Sequence, residues 1–337
     1  MQRARVYVFL ALANLFWAGN FVFGALVGSQ VPPASLTFFR WVFAAVPLVV
    51  LAWVLERPDW RLALREWKQH LLQSVLGLTG YTLLLYTALG LTGAVTASVI
   101  SAINPAMIAL GAALVLRERL SGIQGVGIAL AFVGVTIVLT GGDVGSVLAN
   151  GFGVGDLLVV ASVVAWTVYS LISRRLRTPP VTSTAIQAVF ATVTMLPVVA
   201  ITGLTPPADL GGVVGIAYIA LFPSVLGYAF WNIGAARVGP TRAGIFLNLL
   251  PVFTVVIAVA LGESLELAAA IGGALVLAGV TLTLRVPRQR ATDVPVEASI
   301  DTDASRGASI EAEAAPDGPA ALTPRAEPGR PARPARG

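Results

Sequence analysis

The chain has 337 residues, of which 56% are hydrophobic and 12% are charged, and its formal net charge at pH 7 is +5. Soluble domains carry roughly a quarter charged residues, so this composition excludes an ordinary water-soluble protein, whose surface would need far more Lys, Arg, Asp and Glu. The chain contains no cysteine, which excludes a disulfide framework and a thiolate metal site.

Long apolar runs between charged or Pro- and Gly-rich breaks predict an all-α membrane protein with ten transmembrane helices. A helix needs about 20 apolar residues to cross the hydrocarbon core, whereas the strands of a barrel would alternate apolar and polar residues. In chain order the predicted spans are Tyr7–Val27, Ala34–Leu55, Leu71–Leu89, Val95–Leu116, Ile123–Thr140, Leu157–Ile172, Thr182–Thr202, Val213–Ala235, Ala243–Leu261 and Leu267–Leu284.

Basic residues occupy alternate connections between these spans, as the positive-inside rule requires. The connections predicted to lie inside hold Arg3, Arg5, Arg57, Arg61, Arg65, Lys68, Arg117, Arg119, Arg174, Arg175, Arg177, Arg237, Arg242, Arg285, Arg288 and Arg290. The predicted outer connections hold no Lys or Arg, and contain Asp143, Asp209, Glu263 and Glu266 instead. We therefore predict a multi-pass protein of the cell inner membrane with cytoplasmic N- and C-termini.

The two halves of the chain resemble each other. The sequence ALAFVGVTIVL from Ala129 matches ALVLAGVTLTL from Ala274. Further matched positions are Trp17 with Trp166, Gly80-Tyr81 with Gly227-Tyr228, Pro105 with Pro251, and Glu118 with Glu263. Because each half holds five spans, an odd number, the second half must enter the membrane from the opposite side, which is a frequent architecture of secondary transporters. We predict one repeat over residues 1–142, an inverted repeat over 153–286, and a disordered cytoplasmic tail over 287–337.

Several motifs resemble the EamA family of the drug/metabolite transporter superfamily. They are FWAGNFVFG at Phe16–Gly24, LTFFRW at Leu36–Trp41, INPAMIALGAALVLRERLSGIQGVGIALAFVGV at Ile103–Val135, and the parallel LLPVFTVVIAVALGESLELAAAIGGALVLAGV at Leu249–Val280. The resemblance covers about residues 6–286. It implies a basket of helices around a central cavity, lined by spans one to four and six to nine, with spans five and ten packed outside. It also implies transport of metabolites such as amino acids and related compounds.

Arg40 is the one charged residue well inside a predicted span. A charge near the bilayer centre costs at least about 2.5 to 3.5 kcal/mol, so it normally faces protein or water. Arg40 is therefore either an anchor for a substrate carboxylate or another anion, or a structural arginine bonded to backbone carbonyls. Both interpretations stay open.

Polar and aromatic residues in the middle of the spans are the remaining candidates for substrate binding. Tyr and Trp offer an apolar face and a polar tip, which suits adaptable ligand binding, although ordinary helix packing is an alternative for each of them. The candidates are Trp17, Asn20, Tyr81, Tyr86, Trp166, Tyr169, Tyr228, Trp231 and Asn232, together with Ser101, Asn104 and Asn248 beside the matched prolines. Pro105 and Pro251 interrupt backbone hydrogen bonding within their spans, so they are predicted to be hinges or to shape the helices for packing.

Groups that bind metals, cofactors or protons are sparse. No acidic residue lies deep in a span, since Asp156 is predicted to cap the start of the sixth span. The single histidine, His70, lies beside Lys68 and is predicted to be a solvated loop residue. We expect no metal and no cofactor, and the absence of a Walker motif argues against direct use of ATP. Facilitated exchange and uniport both stay open.

These features predict a secondary transporter that carries small metabolites by alternating access, with export as its predicted direction, and that is not an enzyme. The alternative is a membrane-embedded enzyme acting on lipid or isoprenoid substrates, which would need paired carboxylates, a His cluster or a metal site. The expected partners are a small-molecule substrate and the lipid bilayer, and no nucleic acid. Small residues, Gly127 with Gly134 and Ala270 with Ala274, predict close packing of spans five and ten, and a homodimer through them is an open alternative.

Overall fold

The computed structural model describes residues 2–117, 120–143, 152–173, 176–238 and 246–284. All regular elements among these residues are helical, which confirms the prediction of a helical membrane protein. The predicted tail over 287–337 and the matched Glu118 lie outside the described residues.

In chain order the α-helices are α1 (Gln2–Gly28), α2 (Pro33–Glu56), α3 (Trp60–Arg65), α4 (Trp67–Gln73), α5 (Tyr81–Thr92), α6 (Ala94–Ser101), α7 (Asn104–Leu116), α8 (Gly122–Leu139), α9 (Val154–Ser173), α10 (Pro180–Thr202), α11 (Leu210–Leu221), α12 (Tyr228–Val238), α13 (Leu249–Ala260) and α14 (Leu267–Thr283). Two π-helical segments interrupt this series, the first over Ser74–Gly80 and the second over Phe222–Gly227. A short 3₁₀ turn, Phe246–Asn248, precedes α13.

Eight helical stretches among the described residues are long and apolar enough to cross a membrane. They correspond to the first eight predicted spans. The ninth and tenth predicted spans contain the shorter apolar stretches Phe246–Ala260 and Leu267–Thr283. The residues just before Phe246, where the ninth span was predicted to begin, lie outside the described part of the chain.

Helices α2 and α10 pack along each other through small side chains. Ala44 and Ala45 on α2, and Ala185 and Ala188 on α10, are buried in one apolar cluster. Such residues let two helix backbones approach closely. Each helix begins with a proline, at Pro33 and at Pro180, where the missing N–H costs nothing because the first turn has no intrahelical acceptor.

The start of α10 is fixed by a carboxylate from the end of α2. Glu56 accepts hydrogen bonds from the backbone N–H groups of Val181 and Thr182 at 2.9 and 2.7 Å, and from the Thr182 hydroxyl at 2.7 Å. These N–H groups belong to the first turn of α10, where a helix has unsatisfied donors and favours negative charge.

Helices α8 and α14 pack together through glycines. A Cβ atom at Gly134 would lie 2.6 Å from the carbonyl oxygen of Gly272, and one at Gly127 would lie 2.6 Å from the carbonyl oxygen of Gly279. The predicted close packing of spans five and ten is therefore found within one chain. The predicted stripe on span ten was wrong, however. Ala270 and Ala274 are exposed, because the glycines take the face that meets α8.

His70 is buried, contrary to the prediction of a solvated loop residue. Its side chain is 0% exposed, and Nε2 lies 3.2 Å from the hydroxyl oxygen of Thr178. Helix α4 continues the third span towards its N-terminus and turns His70 towards Thr178 in the segment before α10. The charged neighbours of His70 in the sequence gave no sign of this helical turn.

The glycine contact between α8 and α14 predicts a sharp difference between two Gly→Ala variants of α8. Gly134→Ala should lower the free energy of unfolding by about 1–3 kcal/mol, since the new methyl group meets backbone rather than a mobile side chain. Gly125→Ala is the matched control, because a Cβ there would meet nothing within 4 Å, and it should be neutral or slightly stabilising. Thermal unfolding in detergent would measure both, and equal melting temperatures would contradict the packing.

Candidate functional site

A cavity lies where the central helices of both halves meet. The cavity volume is about 80 Å³. On the same measure one water molecule needs roughly 10–15 Å³, so the cavity has room for a small solute. Its lining residues are Trp17, Asn20, Phe21, Arg40, Tyr81, Ser101, Ala102, Asn104, Pro105, Trp166, Tyr228, Leu247 and Leu250. They come from spans one to four, six, eight and nine. The resemblance also implied span seven, which contributes no lining residue.

Arg40 lies on α2 at the cavity and is 3% exposed. Its Nε donates to the hydroxyl oxygen of Ser224 at 2.9 Å. Its Nη1 donates to the Asn20 side-chain oxygen at 2.9 Å and to the Tyr86 hydroxyl at 2.7 Å. The Tyr86 hydroxyl donates in turn to the same Asn20 oxygen at 2.9 Å. Neutral acceptors from spans one, three and eight thus hold the guanidinium in place.

The network leaves one terminal nitrogen of Arg40 for another group. A guanidinium has five N–H donors, and three of those of Arg40 are engaged with the protein. Within the part of the chain that the structure describes, no group accepts a hydrogen bond from Nη2 and no carboxylate forms an ion pair with Arg40. The positive charge therefore lies at the cavity without a described counter-ion.

Aromatic side chains form the walls of the cavity. The Trp17 indole N–H donates to the carbonyl of Pro223 at 3.0 Å, and the ring lies 5.9 Å from that of Tyr228. On the other wall, the rings of Tyr81 and Trp166 lie 5.1 Å apart. These two pairs contain the matched positions Trp17 with Trp166 and Tyr81 with Tyr228.

The two tyrosines of the wall begin helices after unusual backbone segments. The first π-helical segment ends at Gly80 directly before Tyr81, and the second ends at Gly227 directly before Tyr228. Single-turn π segments are rare and frequently lie at functional sites, since the extra residue changes the direction of the following side chains. The sequence repeat Gly80-Tyr81 and Gly227-Tyr228 therefore marks a repeated backbone feature, which side-chain patterns alone did not predict.

A break in the fourth span brings polar groups to the cavity. Span four consists of two helices, α6 and α7, separated by a turn at residues 102–103. Pro105 lies at the start of α7 rather than in the middle of a helix, and it has no N–H to donate to the carbonyl of Ser101. The Ser101 hydroxyl oxygen and the Asn104 side-chain oxygen are buried and have no hydrogen-bond partner among the described residues.

The other predicted site residues do not line the cavity. Tyr86 accepts a hydrogen bond from Arg40, and the Trp231 ring lies 5.4 Å from that of Trp17. Asn248 donates to the Thr281 hydroxyl at 2.9 Å, which fixes it between spans nine and ten. The rest of this group is Tyr169, Asn232 and the proposed hinge Pro251, which is buried near the start of α13.

A second polar network lies at the corresponding place in the other half. Gln187 on α10 accepts from the Tyr169 hydroxyl at 3.2 Å and donates to the Gln73 side-chain oxygen at 2.6 Å. Gln187 lies seven residues after the proline that begins its helix, as Arg40 does. Neither Gln187 nor Ser224 was predicted from the sequence, although the repeat could have identified Gln187 as the counterpart of Arg40.

No group of three or more His, Cys, Asp or Glu side chains that could hold a metal ion is found among the described residues. The lining of the described cavity is polar in part and aromatic along its walls. It combines a fixed positive charge, free oxygen acceptors and aromatic surface.

A family model matches the chain twice. The EamA-like transporter family matches residues 4–140 and again residues 153–285. One solved crystal structure has the same fold with a TM-score of 0.57 and 23% identity, and the match covers 83% of this chain and 98% of that chain.

Several curated relatives match over most of their length, and their names describe transporters. "Uncharacterized transporter YyaM" of Bacillus subtilis (strain 168) is 28% identical over 86% of this chain and 97% of its own length. An "Uncharacterized transporter" of Archaeoglobus fulgidus is 29% identical over 84% of this chain and 98% of its own length. A "Probable terminal-alkyne amino-acid exporter" of Streptantibioticus cattleyicolor is 29% identical over 88% of this chain and 99% of its own length.

The Arg40 network predicts that Tyr86→Phe destabilises the protein. The variant keeps the ring but removes a hydroxyl that both accepts from Arg40 and donates to Asn20, so the buried charge loses a partner, at a cost of about 1–2 kcal/mol. Tyr218→Phe is the matched control, because that hydroxyl makes only a 3.4 Å contact to the Phe16 carbonyl. If the two variants unfold at the same temperature in detergent, Tyr86 does not support the charge.

Proposed function

Since the chain belongs to the EamA-like transporter family, we propose that it is a secondary transporter that exports small metabolites, such as amino acids or related compounds. It would work by alternating access in the cell inner membrane. Eight helical stretches long and apolar enough to cross a membrane and relatives named as transporters support this proposal.

The substrate class is inferred from the Nη2 atom of Arg40, which has no acceptor among the described residues. A guanidinium attracts an anionic group far more strongly in a low-dielectric cavity than in water. A fork of two nitrogens usually holds a carboxylate, but here Nε and Nη1 already donate to the protein. The carboxylate of a substrate would therefore meet Nη2, with Arg40 kept in position by Ser224, Asn20 and Tyr86.

The free acceptors of the fourth span suit the other end of an amino acid. Ser101 and Asn104 each keep a buried oxygen without a partner, and a buried polar atom left unpaired costs free energy until a donor reaches it. A substrate ammonium group supplies three such donors, and the aromatic walls favour a cation near their faces. The name of the Streptantibioticus cattleyicolor relative, an amino-acid exporter, agrees with this substrate class.

We further propose that the chain has ten spans in two inverted five-helix repeats, over residues 1–142 and 153–286, followed by a tail over 287–337. Three observations support this organisation. The family model matches each half once, matched π-helical segments precede Tyr81 and Tyr228, and Arg40 and Gln187 occupy corresponding places on α2 and α10. In this architecture, exchange of conformation between two similar halves opens a central site to alternate sides.

Pro105 and Pro251 are proposed hinges in this movement. Pro105 follows the turn that divides span four, and Pro251 follows the 3₁₀ turn at Phe246–Asn248. Backbone breaks of this kind can absorb changes of direction within a span. The alternative function, a membrane-embedded enzyme, has less support because the relatives carry the names of transporters.

The inverted-repeat architecture predicts the location of reporter fusions. Fusions after Gly28, Gly142 and Asp209 should report the periplasm, and fusions after Arg61, Arg177 and Arg288 should report the cytoplasm, because basic connections stay inside. A pair of reporters, one active on each side of the membrane, checks every site. A cytoplasmic signal at Gly142 would contradict a first half of five spans.

Substitution of Arg40 should change the preference for an amino acid over its amide, in which the carboxylate is replaced by a neutral group. Arg40→Gln should raise the half-saturation concentration for an amino acid roughly tenfold to hundredfold, the loss of one charge-assisted contact, and leave that for the amide analogue much less changed. Arg40→Lys keeps the charge and should fall between Arg40→Gln and the wild type. We expect both variants to lose some folded protein. The ratio of the half-saturation concentrations for the acid and the amide does not depend on the amount of protein, so it reports the binding role of Arg40.

Arg237→Gln is the matched control for this experiment, because Arg237 is exposed near the end of α12 and does not line the cavity. Its substrate ratio should equal that of the wild type. A wild-type protein that transports the acid and the amide equally well would return Arg40 to a purely structural role.

A further inference from the structure

The connection between α2 and α4 carries two adjacent stripes of exposed side chains. Trp60, Leu64 and Trp67 are 38%, 70% and 46% exposed, although they are large and apolar. Each of them is followed directly by an exposed basic residue, which is Arg61, Arg65 and Lys68 in turn. Within α3, Trp60 and Leu64 are four residues apart, as are Arg61 and Arg65, and this spacing keeps each pair on one face of the helix. Trp67 and Lys68 continue the two sets in the first turn of α4, after the turn at Glu66.

Helix α3 is held against the protein by its opposite side. Ala63 is 1% exposed, and Asp59 caps the helix by accepting from the backbone N–H groups of Arg61 and Leu62 at 2.9 and 3.3 Å. The apolar stripe therefore lies between the buried side and the basic stripe. This is the arrangement of a helix that lies in the plane of a membrane interface.

The acidic residues of this region are occupied by backbone donors. Glu66 accepts from the N–H groups of Arg177 and Thr178 at 3.1 and 3.0 Å and from the Thr178 hydroxyl at 2.6 Å. Burial alone would raise the pKa of Glu66, but these hydrogen bonds outweigh it and lower the pKa, so the carboxylate stays ionised at neutral pH. Glu56 holds the start of α10 in the same way, and Asp59 caps α3.

The basic residues, in contrast, have no acidic partner. No ion pair joins Arg61, Arg65 or Lys68 to a carboxylate in the part of the chain that the structure describes, and the only described contact of the Lys68 ammonium is the Trp67 ring, 5.8 Å from its centroid. Arg57 is exposed on the same connection. Arg177 is exposed on the segment that Glu66 binds. This surface therefore presents unpaired positive charge next to exposed apolar rings.

We propose that this surface is a binding site for the headgroups of anionic phospholipids. The connection joins two helical stretches that are apolar enough to span a membrane, so it lies at the membrane face. Arg61, Arg65 and Lys68 meet the lipid phosphates, while Trp60, Leu64 and Trp67 lie among the upper parts of the acyl chains. Tryptophan prefers this interfacial depth, and basic residues close to the membrane surface are attracted to anionic lipid.

Lipid bound here also stabilises a contact between the two halves of the chain. Glu66 follows Arg65 directly and clamps the segment before α10 through Arg177 and Thr178. A headgroup that fixes α3 and the start of α4 therefore fixes the clamp. Anionic lipid should raise the unfolding temperature more than zwitterionic lipid with the same acyl chains.

The test uses the purified full-length chain in detergent, titrated with phosphatidylglycerol or with phosphatidylcholine of identical acyl composition. Retained lipid is counted by native mass spectrometry, and the melting temperature is followed in parallel. We expect the wild type to bind phosphatidylglycerol more tightly, and the triple variant R61Q/R65Q/K68Q to lose roughly a hundredfold in affinity for it. Binding of phosphatidylcholine should stay unchanged.

Two further variants make the outcome specific. The control R5Q/R117Q/R237Q removes three exposed basic residues elsewhere and should bind phosphatidylglycerol as the wild type does. The conservative variant R61K/R65K should retain binding, since a point charge is enough for a phosphate. If the first triple variant fails to fold, added salt on the wild type gives the same test, because screening should abolish the preference for the anionic lipid.

The proposal is overturned if the wild type binds both lipids equally, or if the control variant loses as much affinity as R61Q/R65Q/K68Q. It is also overturned if added salt leaves the preference unchanged, or if the apolar stripe drives lipid-independent association of two copies. None of these outcomes depends on transport, so the proposed transport function stands or falls separately.

Discussion

A guanidinium inside the membrane-embedded part of a protein costs at least about 2.5 to 3.5 kcal/mol near the bilayer centre unless protein or water surrounds it. Arg40 meets this constraint with neutral oxygens from three other spans, at Asn20, Tyr86 and Ser224. The Ser224 hydroxyl donates to the Ile219 carbonyl at 2.9 Å, so it is free to accept from Arg40. Removal of any one acceptor leaves a buried charge less well satisfied, and this links the positions of spans one, two, three and eight.

The use of neutral acceptors has a chemical consequence. A carboxylate from the protein would neutralise Arg40 and would compete with an anionic ligand, whereas hydroxyl and amide oxygens satisfy the N–H groups and leave the charge in place. The charge can therefore be stable without a ligand and still attract one. The counterpart in the other half, Gln187, carries no charge, so the two halves share a framework but not the electrostatics of the cavity.

Sequence composition was sufficient for the broad architecture, because a soluble domain rarely contains many apolar runs that are each long enough to cross a membrane. The sequence also identified Arg40 as an unusual residue, since a charge inside such an apolar run is rare. The partners of Arg40 were less accessible: Ser224 lies 184 residues away in the chain, and a serine in an apolar helix is common. His70 was mispredicted, because its neighbours Lys68 and Gln69 are exposed while the helical turn directs its own ring inwards.

Irregular backbone segments were the other feature that the residue types did not predict. Proline predicted an interruption near Pro105, but it did not predict that α7 would begin there. Glycine did not predict that Gly80 and Gly227 would each end a π-helical segment. Such segments depend on the packing of neighbouring helices. Gly77 illustrates this, because a Cβ there would overlap the ring of Tyr169 on another span. An internal repeat is the best sequence signal for them, since it pairs positions whose shared role is structural.

In the transport cycle that we propose, a solute with a carboxylate occupies the cavity at Arg40 and is carried across the membrane. A direct test uses proteoliposomes that contain the purified chain, loaded with an unlabelled amino acid or its amide and placed in a trace of the same compound in labelled form. We expect uptake of the labelled amino acid by counterflow, inhibited by an external excess of unlabelled amino acids but not by their amides. Equal counterflow of acid and amide would contradict the claim, as would the absence of transport across a panel of amino acids, nucleosides and cationic drugs, with and without a pH gradient.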